Sequence, residues 1–263
     1  PHGSILREDP YRIESYKALR RVLSAAKRHD ATYCVCQALA VLRLADADEE
    51  RLYLAHRATN AAPAKRPLDE DAWGRLMHWD LDPMLTRIFA ALQPTIVRAR
   101  TRRIEEHGHD PASSIDCARH PHPVTQTLYY AEGVLAIPPP LVFEDPGDPG
   151  TLGILHARPP AIVLGRGAGG DSLGTQALAF LAGRHLTSFR PGFYVRHLVP
   201  TGTGLKAWLF AAIKSCVPQF PIAAELTGQV DEDSTAMAAD FAGAEKEKLA
   251  RAVSKLLHAG GAL

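Results

Sequence analysis

The chain has 263 residues, 46% of them apolar, with 30 basic and 29 acidic side chains and a formal net charge of +1. That length suits one large domain or two small ones. The near-neutral balance gives no bulk field for nucleic acid or membrane, and no apolar run approaches the roughly 20 residues of a membrane helix.

No signal-peptide pattern opens the sequence, and Pro1, His2, Gly3 and Ser4 read as an appended tail. The four cysteines, Cys34, Cys36, Cys117 and Cys216, form neither a Cys-x-x-Cys motif nor a disulfide framework. Cys34, Cys36 and Cys216 sit among apolar neighbours and are expected to be buried thiols, which suits a reducing, cytoplasmic setting.

Residues 9–57 read as helices. Asp9-Pro10 has the form of a cap followed by a first-turn proline. Ile13, Tyr16, Leu19, Leu23 and Ala26 recur at steps of three and four along one face. His29-Asp30 reads as a tight turn, Ala31, Val35, Ala38 and Val41 as a second helix, and Asp46–Arg57 as a third. Residues 58–68 are small, proline-containing and unpatterned, as in a linker. The division expected from this is a helical hairpin at 1–60, a linker at 61–68 and a second domain at 69–263.

Helices are expected again at Asp69–His78 and at Asp82–Thr101, where Asp82-Pro83 is a cap signature and Pro94 a candidate kink. Residues 105–123 are polar and histidine-rich, and Val124–Ile137 reads as helix. Short strands follow at Leu141–Glu144, Gly153–Ala157 and Ala161–Leu164, then a glycine-rich turn and a helix over 174–189. Leu205–Val217, Glu232–Ala242 and Glu245–Leu257 are the remaining helices. The fold class is α+β, mostly α, with a small sheet.

Four patterns carry chemical hypotheses. Gly165, Gly167 and Gly170 match the G-x-G-x-x-G spacing after a strand, which makes Gly165–Gly170 a candidate nucleotide loop. No acidic residue lies about 20 positions on to hold a ribose, so the same stretch also reads as a plain turn. His107, His109, Asp110, Cys117, His120 and His122 include zinc-ligand types, but their spacing fits no familiar zinc motif. A solvated polar loop accounts for them as well. Arg98, Arg100, Arg102 and Arg103 end a helix, where cations complement its dipole, and they are also a candidate patch for a phosphate or an acidic partner, though without interleaved aromatics.

The fourth pattern is the helix 174–189 itself. A hairpin followed by this helix resembles the catalytic region of M48-like metallopeptidases, with the His-Glu-x-x-His motif absent. On that pattern the two zinc histidines fall on Arg184 and Ser188, the general-base Glu on His185, and the third ligand on Ala238 within Ser234–Gly243. A permanently cationic Arg repels zinc, and the motif needs two neutral imidazoles at i, i+4. A buried helix with Leu178, Leu181, Ala182 and Phe189 at helical spacing explains the same residues without ancestry.

Residues 9–57 are similar in turn to the last unit of a tetratricopeptide array, although the turn is about one residue short of the roughly 34-residue repeat. An ordinary helical hairpin fits equally. Together the two regions resemble C-terminal regions of large tetratricopeptide proteins of bacteria, notably myxobacteria. The resemblance implies a non-catalytic scaffold that binds protein partners in the cytoplasm, with no cofactor, membrane or nucleic acid. It also implies that Arg184 pairs with Asp240 in the metal's place, and that the strand Ala161-Ile162-Val163-Leu164 offers a peptide edge. A metal-dependent hydrolase with unusual ligands and a nucleotide-binding module are the alternatives.

Overall fold

The computed structural model describes residues 2–57, 66–169, 173–238, 240–241 and 243–259. The chain divides into two units, Pro1–Ala62 and Pro63–Leu263. Most of the expected linker at 58–68 lies outside the described residues.

The first unit holds α1 (His2–Glu8), α2 (Ile13–Ala25), α3 (His29–Val41) and α4 (Ala47–His56), each packed on the next. Of the residues expected to be an appended tail, His2, Gly3 and Ser4 form the first turn of α1. Asp9 does not cap a helix beginning at Pro10. Its carboxylate accepts from the Tyr11 amide at 3.1 Å, and α2 begins at Ile13.

The turns after α2 and α3 share one geometry. Lys27 and Arg43 take left-handed φ values of 54° and 59°, while the next amides, Arg28 and Leu44, reach back to the Leu23 and Leu39 carbonyls. This is the Schellman closure, here without the usual glycine. The turn therefore falls before His29, which begins α3.

The start of α4 is fixed by Asp46 and Glu49, which form a full capping box. Glu49 is fully buried and pairs with Lys17 and, at 3.7 Å, with Arg20 of α2. Lys17 also meets Asp46 at 2.8 Å, and that bond, followed by the one from the Glu49 amide, holds the Asp46 carboxyl down to about 2. Cys34, expected inside, is exposed, while Cys36 is buried and all four thiols are free.

The second unit contains α5 (Glu70–Leu76), α6 (Pro83–Arg100), β1 (Arg102–Arg103), α7 (Pro123–Leu135), β2 (Leu141–Glu144), β3 (Leu152–Leu155), β4 (Ala157–Arg158), β5 (Ala161–Leu164), α8 (Thr175–Thr187), α9 (Val195–Leu198), α10 (Gly202–Cys216), α11 (Ala224–Ala238) and α12 (Gly243–His258). Asp82 caps α6 through the Met84 and Leu85 amides, and α6 continues through Pro94. The polar stretch 105–123 contains two 3₁₀ turns, at Ile104–His107 and Pro111–Ser113.

β2, β5 and β3 form one sheet in that order, with β2 parallel and β3 antiparallel to β5. The strand Ala161–Leu164 is therefore central, not an edge. All four of its residues are buried, and it is apolar on both faces, as a strand covered on both sides should be. Ile162 and Leu164 join Val142 and Leu152 in a core with α7 and α8, while Ala161 and Val163 face Phe143, Ala157 and Ile104.

The expected strand Gly153–Ala157 is broken at His156. Its second half leaves the sheet and pairs with β1 as β4. A separate helical core forms around α10, where Ala207–Ile213 are all buried against α6, α9, α11 and α12.

Candidate functional site

The four positions that resemble a degenerate zinc site do not converge. α8 buries Leu178, Ala182 and Leu186 in the core it shares with α7 and the sheet. α11 buries Val230 and Met237 in the other core, beside α10 and α6. Ala238 ends α11 beside a cavity lined by Lys214, Ser215, Ser234, Met237, Phe241 and Lys246, with nothing from α8. Arg184 is exposed, so it needs no buried counter-ion.

Asp240 is held instead by Arg98, and it accepts a hydrogen bond from Thr95. The expected Arg184–Asp240 pair is thereby replaced, because Asp240 lies against the end of α6. Ser188 is the residue that closes α8. His185 is partly buried, and its Nδ1 lies 2.9 Å from the Leu181 carbonyl oxygen.

The glycine-rich turn is consumed by its own packing. The Gly165, Arg166 and Gly167 amides donate to the carbonyls of Thr151, Asp148 and Gly150, and the Ala168 amide donates to Gly165. A phosphate loop needs such amides free to point at the ligand. A Cβ on Gly165 would lie 2.3 Å from the Gly150 carbonyl oxygen. Close approach to that turn accounts for the glycine there. Gly170 and the expected cap at Asp171 or Ser172 lie outside the described residues.

The histidine-rich stretch is dispersed into structural roles. His109 stacks on Phe143, His120 meets the Thr125 hydroxyl at 3.1 Å, and His122 caps α7 through the Val124 amide. Cys117 is buried beside Leu128, and burial, then Glu132 and Asp116, push its thiol up to about 11. Such a thiol is inert at neutral pH. Among the described residues no three His, Cys, Asp or Glu side chains are grouped to hold a metal.

A different constellation stands where α8, the end of β3 and the turn before α9 meet. β3 is one edge of its sheet. The Gly165 amide donates to the Thr151 carbonyl, which makes that pair hydrogen-bonded across the ladder. Alternation then turns the Gly153 and Leu155 backbone toward β5 and the Leu152 and Ile154 backbone outward. Among the described residues nothing hydrogen-bonds to those outward groups.

The opposite edge, β2, is covered. The Ile115 amide donates to the Val142 carbonyl at 2.8 Å, and the Val142 amide donates to the Ser114 hydroxyl at 3.1 Å.

His156 follows β3 directly, with its ring centroid 6.3 Å from that of Tyr194 and 6.2 Å from that of His197. Tyr194 is buried, and its hydroxyl donates to the Leu155 carbonyl at 3.4 Å. The turn reaches this place because Gly192, at φ 88°, lies where a Cβ would come 2.6 Å from the Thr86 carbonyl oxygen of α6.

His156 is exposed by surface area, but neighbouring groups desolvate it enough to lower its pKa, and His107 adds to the effect. Burial lowers that of His197 too, followed by His156, Arg196 and His185. Burial also raises the Tyr194 hydroxyl well above its usual range. Sequence spacing gives no sign of this cluster. Its members come from four separate segments, and only Tyr194, Arg196 and His197 are near one another in the sequence.

No family model, curated protein or solved structure matches the chain. Among the described residues no helix is long and apolar enough to cross a membrane.

Proposed function

We propose that the unit Pro63–Leu263 is a non-catalytic protein-binding module that takes up an extended partner segment along β3. The observation that carries this is the asymmetry of the sheet: β2 is closed by Ser114 and Ile115, whereas among the described residues nothing pairs with the outward Leu152 and Ile154 backbone groups. An open strand edge gains main-chain hydrogen bonds from an added strand and selects it through side-chain pockets. The reading rests on this edge alone; the M48-like resemblance puts the edge at Ala161–Leu164, which is the central strand.

The test is Ile154→Pro in the full chain, followed by capture of partners with wild type and variant side by side. Proline removes the outward donor while the ladder to β5 runs through Gly153 and Leu155. Loss of the captured partner is the expected result. Undiminished capture would exclude the edge, and about one zinc per purified chain would favour a metal-dependent hydrolase instead.

The first unit supports a second reading. Val22 of α2 and Val41 of α3 are 63% and 71% exposed, two apolar side chains that a partner would cover. Val22→Asp with Val41→Asp is the matching variant. Arg20 is unsuitable for charge reversal because it faces buried Glu49.

A further inference from the structure

We propose that the segment taken up along β3 is acidic, and that His107, His156, His185, Arg196 and His197 at the end of that strand select it. The inference rests on the edge reading and adds the partner's chemistry to it.

The cluster is one-signed. The charged groups acting on His197 are His156, Arg196 and His185, and the one acting on His156 is His107. No carboxylate is among them, and among the described residues none of the five forms an ion pair with an acidic side chain. Potential cations from the 3₁₀ turn Ile104–His107, the β3–β4 junction, α8 and α9 thus gather, while the carboxylates of that turn, Glu105 and Glu106, are taken up by the guanidinium and the amide of Arg103. Gathering like charges is unfavourable in the free protein and is relieved by a carboxylate ligand. Histidine makes that relief conditional on pH, since its charge changes near neutrality.

Position joins this cluster to the strand. His156 is the residue directly after Leu155, and Tyr194 fixes the junction through the Leu155 carbonyl. A strand added to β3 would run past His156 toward His197. Its side chains alternate, so acidic residues at every second position present one charged row. Buried Tyr194 offers no open ring face for a base to stack on, which favours peptide over single-stranded nucleic acid.

The test uses fluorescence anisotropy with the full chain and two labelled nonapeptides, one alternating valine and glutamate, the other valine and glutamine. The acidic peptide is expected to bind roughly tenfold more tightly at about pH 5.5 than at about pH 8, because bound carboxylates favour the protonated histidines. The glutamine peptide should bind weakly and without that slope. His156→Ala with His197→Ala should reduce the acidic peptide to the glutamine level. Ile154→Pro should abolish both. An acidic peptide N-methylated at alternate amides tests the same ladder without altering the protein.

Equal, edge-dependent binding of the two peptides would overturn the acidic preference and leave the edge reading standing. Acidic binding indifferent to both Ile154→Pro and N-methylation would overturn the edge, and with it this proposal. Competition by an oligonucleotide of equal charge, lost in the double histidine variant, would replace the peptide by nucleic acid. Failure of every probe to bind would overturn both readings.

Discussion

Arg98 ties the end of α11 to α6: its guanidinium pairs with the Asp240 carboxylate while Nη2 donates to the Ala236 carbonyl oxygen at 2.9 Å. Arg98 lies in the last turn of α6, where a cation also suits the helix dipole. Thr95, one turn earlier, supplies a second bond to Asp240. Charge-assisted bonds to two acceptors make this a better clasp than a lone surface pair.

Arg98→Ala and Asp240→Ala should each cost about 1–2 kcal/mol, and the double variant should cost less than their sum. Arg184→Ala, at an exposed site, should stay within about 0.5 kcal/mol of wild type. Urea denaturation of wild type and the four variants measures this. Full additivity of Arg98 and Asp240 would mean that the pair contributes nothing of its own.

Glu132 sits on the buried face of α7 at 8% exposure, with one carboxylate oxygen lacking any partner. Burial pushes its carboxyl up to about 7 from an ordinary 4.5. The folded protein therefore holds this proton more tightly than the unfolded chain. Its contribution is full below about pH 4.5, falls as pH rises, and is wholly lost above about pH 7. Glu132→Gln should be more stable than wild type by roughly 2 kcal/mol at about pH 8 and nearly equal to it at about pH 4. Denaturation midpoints at the two pH values decide it; a difference that does not change with pH would sink the explanation.

Gly165→Ala separates packing from phosphate binding in the glycine-rich turn. The new methyl group would meet the Gly150 and Asp148 carbonyl oxygens at 2.3 and 2.7 Å, and backbone cannot swing aside as a side chain can. A loss of about 2–3 kcal/mol is expected with no ligand present. Neither ATP nor NAD should raise the melting temperature of the wild type. A ligand-dependent rise abolished by the substitution would restore the nucleotide reading.

The sequence by itself determined most of the longer helices and two of the strands, because periodicity and capping are local. Asp82-Pro83 marked α6, Asp46 marked α4, and Leu141–Glu144 and Ala161–Leu164 stood out as apolar runs. The unbroken apolar run of Ala161–Leu164 also held the clue that it is central, since an edge strand with a wet face alternates. The turns at Lys27 and Arg43 were illegible, for a left-handed residue without glycine leaves no trace in composition.

Tertiary structure decided the rest, because it concerns groups far apart in the chain. It placed α8 and α11 in different cores, so that Arg184 and Ala238 never meet, and gave Asp240 to Arg98. It spent the glycine loop's amides on the Asp148–Thr151 turn and closed the β2 edge of the sheet, while among the described residues nothing pairs with the outer side of β3. It also drew His107, His156, His185 and His197 together from separate segments. A propensity is carried by neighbours in sequence, whereas which donors stay unpaired and which charges gather depends on how the elements close on one another.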